Sequence, residues 1–347
     1  MTMRILPAVL AAGAYLVLTS PLWAQQRLTV ATYGGNWGEA QKACILDPFA
    51  KLSGVQVVQE TSVSTVTYNK LKQQKGNPSI DIAWIDGGIS ELAAADGVVA
   101  TIDPAKVANV SGLIDEAVYK NKDGKIYALS TGFYALGIAY NTAELKTPPQ
   151  SWWDIWKPEY AGKITLPSPV NAAGIPFFAH VIGLTGGTLD NPAAAVDKLK
   201  AIKVSSYYDA SGVAQAALQS GEAIAAAYYN TAAWAIADKG LPIAFVVPKE
   251  GAPANDIRVH IADGTKNLEA ALQFVNYTAS EEAMNCLAEK LYIGPPTKQY
   301  KITEQAKSRL PWGANGSVKN LAIPNWDGIN AKRQALTEIW NRQVAGK

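Results

Sequence analysis

Aromatic and acidic side chains recur where apolar stretches of this 347-residue chain run into glycines or polar turns. ATYGGNWGEA sets Tyr33 and Trp37 on either side of Gly34 and Gly35, and IDIAWIDGG ends in Asp86 ahead of Gly87 and Gly88. AAAYYNTAAW carries Tyr229 and Asn230; PSPVNAAG and DASGVAQ add Ser168, Asn171, Asp209 and Ser211; ANDIRVHIAD adds Asp256 and Arg258. A carboxylate among aromatic rings can hold an ammonium group, the charge attracting it and the ring faces adding cation–π attraction. Each residue also has a structural alternative. Tyr33 and Trp37 either wall a pocket or pack their loop onto its own domain. Asp86 either faces a ligand or caps the next helix, and Asp256 either faces a ligand or is a turn aspartate. Arg258, two residues along a strand, lies on the same side as Asp256 and either pairs with it or receives a ligand carboxylate.

Other chemistries lack their patterns. Gly34 and Gly35 do not belong to a G-x-G-x-x-G fingerprint, and no G-x-x-x-x-G-K-[ST] phosphate loop occurs. The two glycines are therefore read as a tight turn into a helix, with Asn36 as a cap. His180 and His260 are the only histidines, both in apolar surroundings, and neither H-E-x-x-H nor a G-x-S-x-G elbow is found. The expectation is a binding protein with no metal or cofactor, and not an enzyme.

The elements that must position these residues alternate along the chain. RLTVAT, VQVVQE and IDIAWID read as strands, followed by helices over 38–52, 65–75 and 89–96. This β-α rhythm predicts an α/β fold with a mostly parallel sheet covered on both faces, and ligands gather at the carboxyl ends of such strands. Pro148, Pro149 and Pro158 then break the rhythm. A second α/β unit follows, with strands at KITLP, KVSSYY, AIAAAYYN and PIAFVVP and helices over 174–184, 192–201, 212–219 and 231–239. DIRVHIAD reads as a returning strand before helices over 267–278, 280–290 and 331–344. The expected organisation is a first domain over 25–141, a second inserted over 142–255, and a return to the first over 256–347. Two crossings between domains create a hinge and a cleft.

The first 24 residues, with Arg4, an apolar run to Leu18 and Ala24, read as a secretory signal peptide. The apolar run is shorter than the ~20 residues a membrane-spanning helix needs. The 31 Lys+Arg against 29 Asp+Glu give a formal charge of +2, which offers nucleic acid or an anionic membrane no electrostatic footprint. Cys44 and Cys286, the only cysteines, either form one disulfide in an oxidising compartment or stay as separate buried thiols.

TYGGNWGEAQKACILDPFAKLSGVQV, SIDIAWID, GIAYNTAEL, SWWDIWKPEYAGKITLP, AAAYYNTAAWAIADKGLPIAFVVPKEGA and IGPPT run through the whole mature chain. Through them it resembles the bacterial extracellular solute-binding proteins of ABC importers, of the polyamine-binding type. The resemblance implies a type II periplasmic binding protein fold, with two α/β lobes on a two-stranded hinge. It implies a monomer in the periplasm that grips a small solute, delivers it to an inner-membrane ABC permease and catalyses nothing. On this sequence the family's pocket positions fall at Tyr33 or Trp37, near Asp86 and Gly88, at Tyr229, at Asp256 and, loosely, at Trp326 and Asp327. One departure stands out: PSPVNAAG has no acid where spermidine- and putrescine-binding relatives tend to carry one. Unpaired charge in a closed cleft is costly, so the expected solute has one amine end and a neutral or anionic other end, such as an ω-amino acid or amino-acid derivative. A polyamine is the alternative, with a sensory role or a periplasmic enzyme further off.

Overall fold

A computed structural model describes residues 26–346, so the expected signal peptide lies outside the described residues. Among these residues ten strands form one ribbon. In chain order they are β1 (Arg27–Thr32), β2 (Gln56–Thr61), β3 (Ile82–Asp86), β4 (Val118–Lys120), β5 (Ile126–Asn141), β6 (Ile164–Pro167), β7 (Ser206–Tyr208), β8 (Ala225–Tyr229), β9 (Ile243–Val246) and β10 (Ala254–Ile261). Their order is β2-β1-β3-β10-β5-β8-β6-β7, with β4 and β9 also on β5. The sheet is mixed rather than mostly parallel. β1 is parallel to β2 and β3, and β6 to β7 and β8, but β10 and β5 run antiparallel to their neighbours.

β5 joins the two halves. All sixteen of its residues are buried. Its first part pairs with β10 up to Ala135–Ala254, and its second part pairs with β8 from Leu136–Tyr229 onward. At the change of partner Asn230, fully buried, accepts from the Ala135 amide at 3.0 Å and donates to the Tyr292 carbonyl at 2.9 Å. The chain crosses back just ahead of β10, where the Leu136 amide donates to the Pro253 carbonyl at 2.8 Å.

Each half has its own core. The first gathers Leu28, Ile45, Phe49, Trp84, Val259 and Phe274, and the second Ile138, Ile164, Phe177, Phe178, Trp326 and Trp340. The last two residues correct the expected boundary. The helix Trp326–Ile339 and the turn after it pack on the second half, with Trp340 edge-on to Phe178 and Tyr207 at 5.5 Å. The earlier helices, Leu268–Thr278 and Glu281–Leu291, return to the first core, as does Val318 after them. The last helix packs against Gly174–Leu184, and periodicity alone does not say which of two cores a helix joins.

The first helix begins earlier than its spacing predicts, at Gly35–Gln41, and continues through a π turn at Lys42–Leu46 into Asp47–Ser53. The wide turn lies just ahead of Pro48, which has no amide hydrogen for a regular helical bond. Cys44, on that turn, forms a disulfide with Cys286 of the helix Glu281–Leu291, their α-carbons 5.6 Å apart. The bond ties the start of the described chain to a late helix of the same core.

Candidate functional site

Two adjoining cavities of about 150 and 510 Å³ open between the halves and share Tyr33, Asp86, Ala172, Ser211 and Tyr229. Their walls are the ends of strands: β1 delivers Tyr33, β3 delivers Asp86, β7 leads to Asp209 and Ser211, and β8 ends at Tyr229. This is the crevice beyond the carboxyl ends of strands where α/β proteins hold ligands.

The smaller cavity is an aromatic cage. Trp37 lies edge-on to Tyr33 at 6.3 Å and to Tyr134 at 6.0 Å, and Tyr134 stands perpendicular to Tyr229 at 4.8 Å. Asp86 sits among these rings. Its Oδ1 accepts from the Tyr134 hydroxyl at 2.8 Å, and its Oδ2 accepts from Ser64 Oγ at 2.6 Å. Ser64 has one hydroxyl hydrogen, spent on Asp86, so its oxygen accepts from the Asp86 amide and the Tyr33 hydroxyl, both at 2.9 Å. A carboxylate offers about four acceptor positions, and these two bonds leave others free on a residue that lines both cavities. Burial pushes the Asp86 carboxyl up, while Ser64, Tyr134, Tyr33 and the more distant Arg258 pull it back. Burial also raises Tyr33, Tyr134 and Tyr229, which remain neutral hydroxyls.

The opposite wall is polar. Ser168 Oγ donates to Asp209 Oδ1 at 2.5 Å, and Asn171 Nδ2 donates to the Asp209 carbonyl at 3.2 Å and reaches Ser211 Oγ at 3.5 Å. PSPVNAAG carries no acid, yet Asp209 brings one to this wall from the neighbouring turn, exposed at the surface of the larger cavity. The wall's acid thus comes from the DASGVAQ turn and not from PSPVNAAG.

The structure gathers Tyr33, Trp37, Asp86, Asn171, Ser211, Tyr229 and Trp326 around the cavities. Gly88 is one residue off: Gly87 lines the larger cavity, and Gly88 lies under the Trp326 ring. Asp256 and Arg258 are not among the lining residues. Their side chains are fully buried and paired, with Arg258 Nε donating to Asp256 Oδ1 at 2.9 Å and Oδ2 at 3.1 Å. Arg258 Nη1 donates to Glu91 at 2.6 Å, and the guanidinium lies 3.4 Å from the centre of the Tyr119 ring. Burial works against the arginine's charge, but Asp256, Tyr119 and Glu91 outweigh it and hold the group charged. β10 alternates, and it turns Asn255 and Ile257 to the cavities instead.

Ser64, Tyr134, Gly87, Asn255 and Arg333 were not singled out from the sequence. Ser64 opens a helix whose β-α junction matches those of Tyr33 and Asp86, and Tyr134 alternates with core-facing Phe133 along β5. Arg333 had no local signal, because only the fold of the last helix brings it to the cleft.

A two-part α/β sheet with a ligand-sized cleft between its halves defines a solute-binding protein. The model of the bacterial extracellular solute-binding proteins matches residues 77–332, and the chain belongs to that family. It is 29% identical over 352 residues to the spermidine/putrescine-binding periplasmic protein of Escherichia coli K12, covering 98% of each chain. It is 24% identical over 287 residues to the gamma-aminobutyric acid-binding protein of Pseudomonas aeruginosa, covering 79% of this chain and 78% of that one. The crystal structure of an ABC transporter protein from Clostridium perfringens superposes with a TM-score of 0.75 at 26% identity, over 91% of this chain and 99% of that one. The protein is thus a periplasmic solute-binding component of an ABC transporter and not an enzyme.

Proposed function

We propose that the cleft takes a small solute through one primary ammonium group, seated on Asp86 between the rings of Tyr33, Trp37, Tyr134 and Tyr229. The observation that carries this reading is a half-buried carboxylate with open acceptor positions inside a ring of four aromatic side chains. An ammonium there exchanges water for a charge-assisted hydrogen bond and ring faces. The favoured solute is zwitterionic, of the ω-amino acid kind, because the opposite wall offers the neutral groups of Asn171 and Ser211. The gamma-aminobutyric acid-binding relative supports that reading.

Asp209 favours a second reading. Its carboxylate borders the larger cavity from the other half, and a diamine would place its second ammonium there. The spermidine/putrescine-binding relative supports this one. The two halves close on the solute by bending β5 near Ala135 and the returning chain near Pro253, and a solute favours closure to the extent that it binds the closed form better.

Calorimetric titration with 4-aminobutanoate and 1,4-diaminobutane separates the two. Tighter binding of the amino acid, unaffected by Asp209→Asn, supports the first reading. Tighter binding of the diamine, lost in Asp209→Asn, overturns it in favour of the second.

A further inference from the structure

Arg333 stands out among the cleft residues as a cation with no carboxylate partner among the described residues. It projects from the last helix to the wall of the larger cavity and is half-buried. Its Nε and Nη2 both donate to Asn330 Oδ1, at 3.1 and 3.0 Å, and its Nη1 makes no hydrogen bond among the described residues. Asn330 is itself tied to the first half, its Nδ2 donating to the Gly88 carbonyl at 2.5 Å. The nearest acid in electrostatic terms, Glu91, is spent on Arg258 Nη1 and the Gly88 amide. A guanidinium fixed at one edge and open at the other is arranged to receive an oxyanion.

Two further buried donors meet at Gly87, which lines the same cavity as Arg333. Among the described residues, Trp326, 5% exposed, has an indole Nε1 without a partner, and Arg258, wholly buried, has an unpaired Nη2. Both converge on the bare α-carbon of Gly87. A β-carbon there would lie 2.9 Å from Trp326 Nε1, 2.7 Å from Arg258 Nη2 and 2.4 Å from Asn255 Oδ1. Buried donors left unpaired are costly, and these belong to a cluster whose outer members, Gly87, Asn255, Trp326 and Arg333, line the larger cavity.

We propose that the anionic end of the solute is received by Arg333 and the indole Nε1 of Trp326, over Gly87. The Arg258 guanidinium lies behind, contributing charge through its unpaired Nη2 without touching the solute. The ligand chemistry is an oxyanion, carboxylate or phosphonate, on a short chain whose amine reaches Asp86. The inference rests on Asp86 as the amine seat and adds the residues that recognise the other end. Because Asn330 links Arg333 to the Gly88 carbonyl, the seat is built from both halves, and an anion bound there bridges them.

The test is calorimetry of the mature protein with 4-aminobutanoate, its amide 4-aminobutanamide, which keeps the ammonium but lacks the carboxylate charge, and 3-aminopropylphosphonate, on wild type, Arg333→Gln, Trp326→Phe and Asp86→Asn. A two-donor oxyanion contact predicts that either anionic probe binds about tenfold or more tighter than the amide, and that R333Q brings this preference down to about twofold. W326F, which keeps the ring but removes its N–H, reduces the preference in part. Asp86→Asn weakens all three probes alike. Equal binding of acid and amide by the wild type, or a preference that survives both R333Q and W326F, overturns the anion seat, and the amine seat then still stands if Asp86→Asn weakens every probe. If Asp86→Asn changes nothing, it is the amine seat that fails. Failure of the wild type to bind either anionic probe also overturns the inference. Thermal melts of R333Q and W326F are run alongside, so that a fall in affinity counts only for a variant that melts as the wild type does.

Discussion

Tyr134 reaches from β5, the strand shared by both halves, to donate its hydroxyl to Asp86 Oδ1 at 2.8 Å, while its ring stands perpendicular to Tyr229 at 4.8 Å. One side chain thereby connects the acid at the end of a first-half strand with the aromatic wall at the end of a second-half strand. The acid is oriented by neutral hydroxyls and keeps its charge for what enters the cleft.

Asp86→Asn is expected to weaken an amine-bearing solute by about 30-fold or more, since truncating one partner of a buried hydrogen-bonded charge pair costs about 2–5 kcal/mol. The isosteric side chain keeps an acceptor for Tyr134 or Ser64, so circular dichroism should be unchanged. Undiminished affinity in calorimetry would remove Asp86 from the site.

Acid should weaken the same binding. The solute ammonium needs the ionised carboxylate, and burial holds Asp86 above the ordinary aspartate range. A raised pKa in the empty protein means that protons compete with the solute as pH falls toward that value. Below it, affinity drops by about tenfold per pH unit, beginning at higher pH than the ~3.9 of a free aspartate. A pH series with 4-aminobutanamide, which has no acid of its own, checks this; constant affinity down to about pH 4 contradicts it.

Asp256→Asn should behave in the opposite way to Asp86→Asn. It leaves the Arg258 guanidinium buried with Glu91 as its remaining ion partner. Breaking one arm of such a buried pair typically costs about 3–5 kcal/mol of stability. Denaturant unfolding should show that loss, whereas solute affinity measured on the folded fraction should fall much less than in Asp86→Asn.

Gly87→Ala tests the crowding around that α-carbon. A methyl group there meets Asn255 Oδ1 at 2.4 Å, Arg258 Nη2 at 2.7 Å and Trp326 Nε1 at 2.9 Å. Overpacking of this kind costs about 1–3 kcal/mol, so the melting temperature should drop. An unchanged melt would mean that these side chains swing away freely.

Removing the disulfide should lower stability without touching recognition. Cys44 and Cys286 close a loop of 242 residues, and losing such a link costs about 2–5 kcal/mol. Both cysteines lie in or against the first core, away from the cleft. A paired Cys44→Ser, Cys286→Ser protein should melt earlier yet bind the same solutes with unchanged affinity.

The cleft was legible in the sequence where it is built from strand ends. Tyr33, Trp37, Asp86, Ser211 and Tyr229 follow apolar runs at β-α junctions, and the fold brings such junctions to one crevice. Asp256 and Arg258 were misplaced for a local reason. On a strand buried on both faces, composition does not reveal which alternating set faces the cleft, and an Asp-x-Arg spacing can satisfy itself. Arg333 was out of reach because the last helix crosses to the second core, a choice made by its packing against Phe178 and Gly174–Leu184 rather than by its periodicity. The alternation of strands and helices foretold the α/β class, but the antiparallel insertion of β10 between β3 and β5 depends on long-range pairing that local patterns do not encode.

The most direct measurement is a crystal structure of the protein bound to 4-aminobutanoate. The account predicts the amine nitrogen within about 3 Å of an Asp86 carboxylate oxygen, enclosed by Tyr33, Trp37, Tyr134 and Tyr229. A nitrogen on Asp209 with the carboxylate turned toward Asp86, or a solute bound outside the cleft, would contradict it.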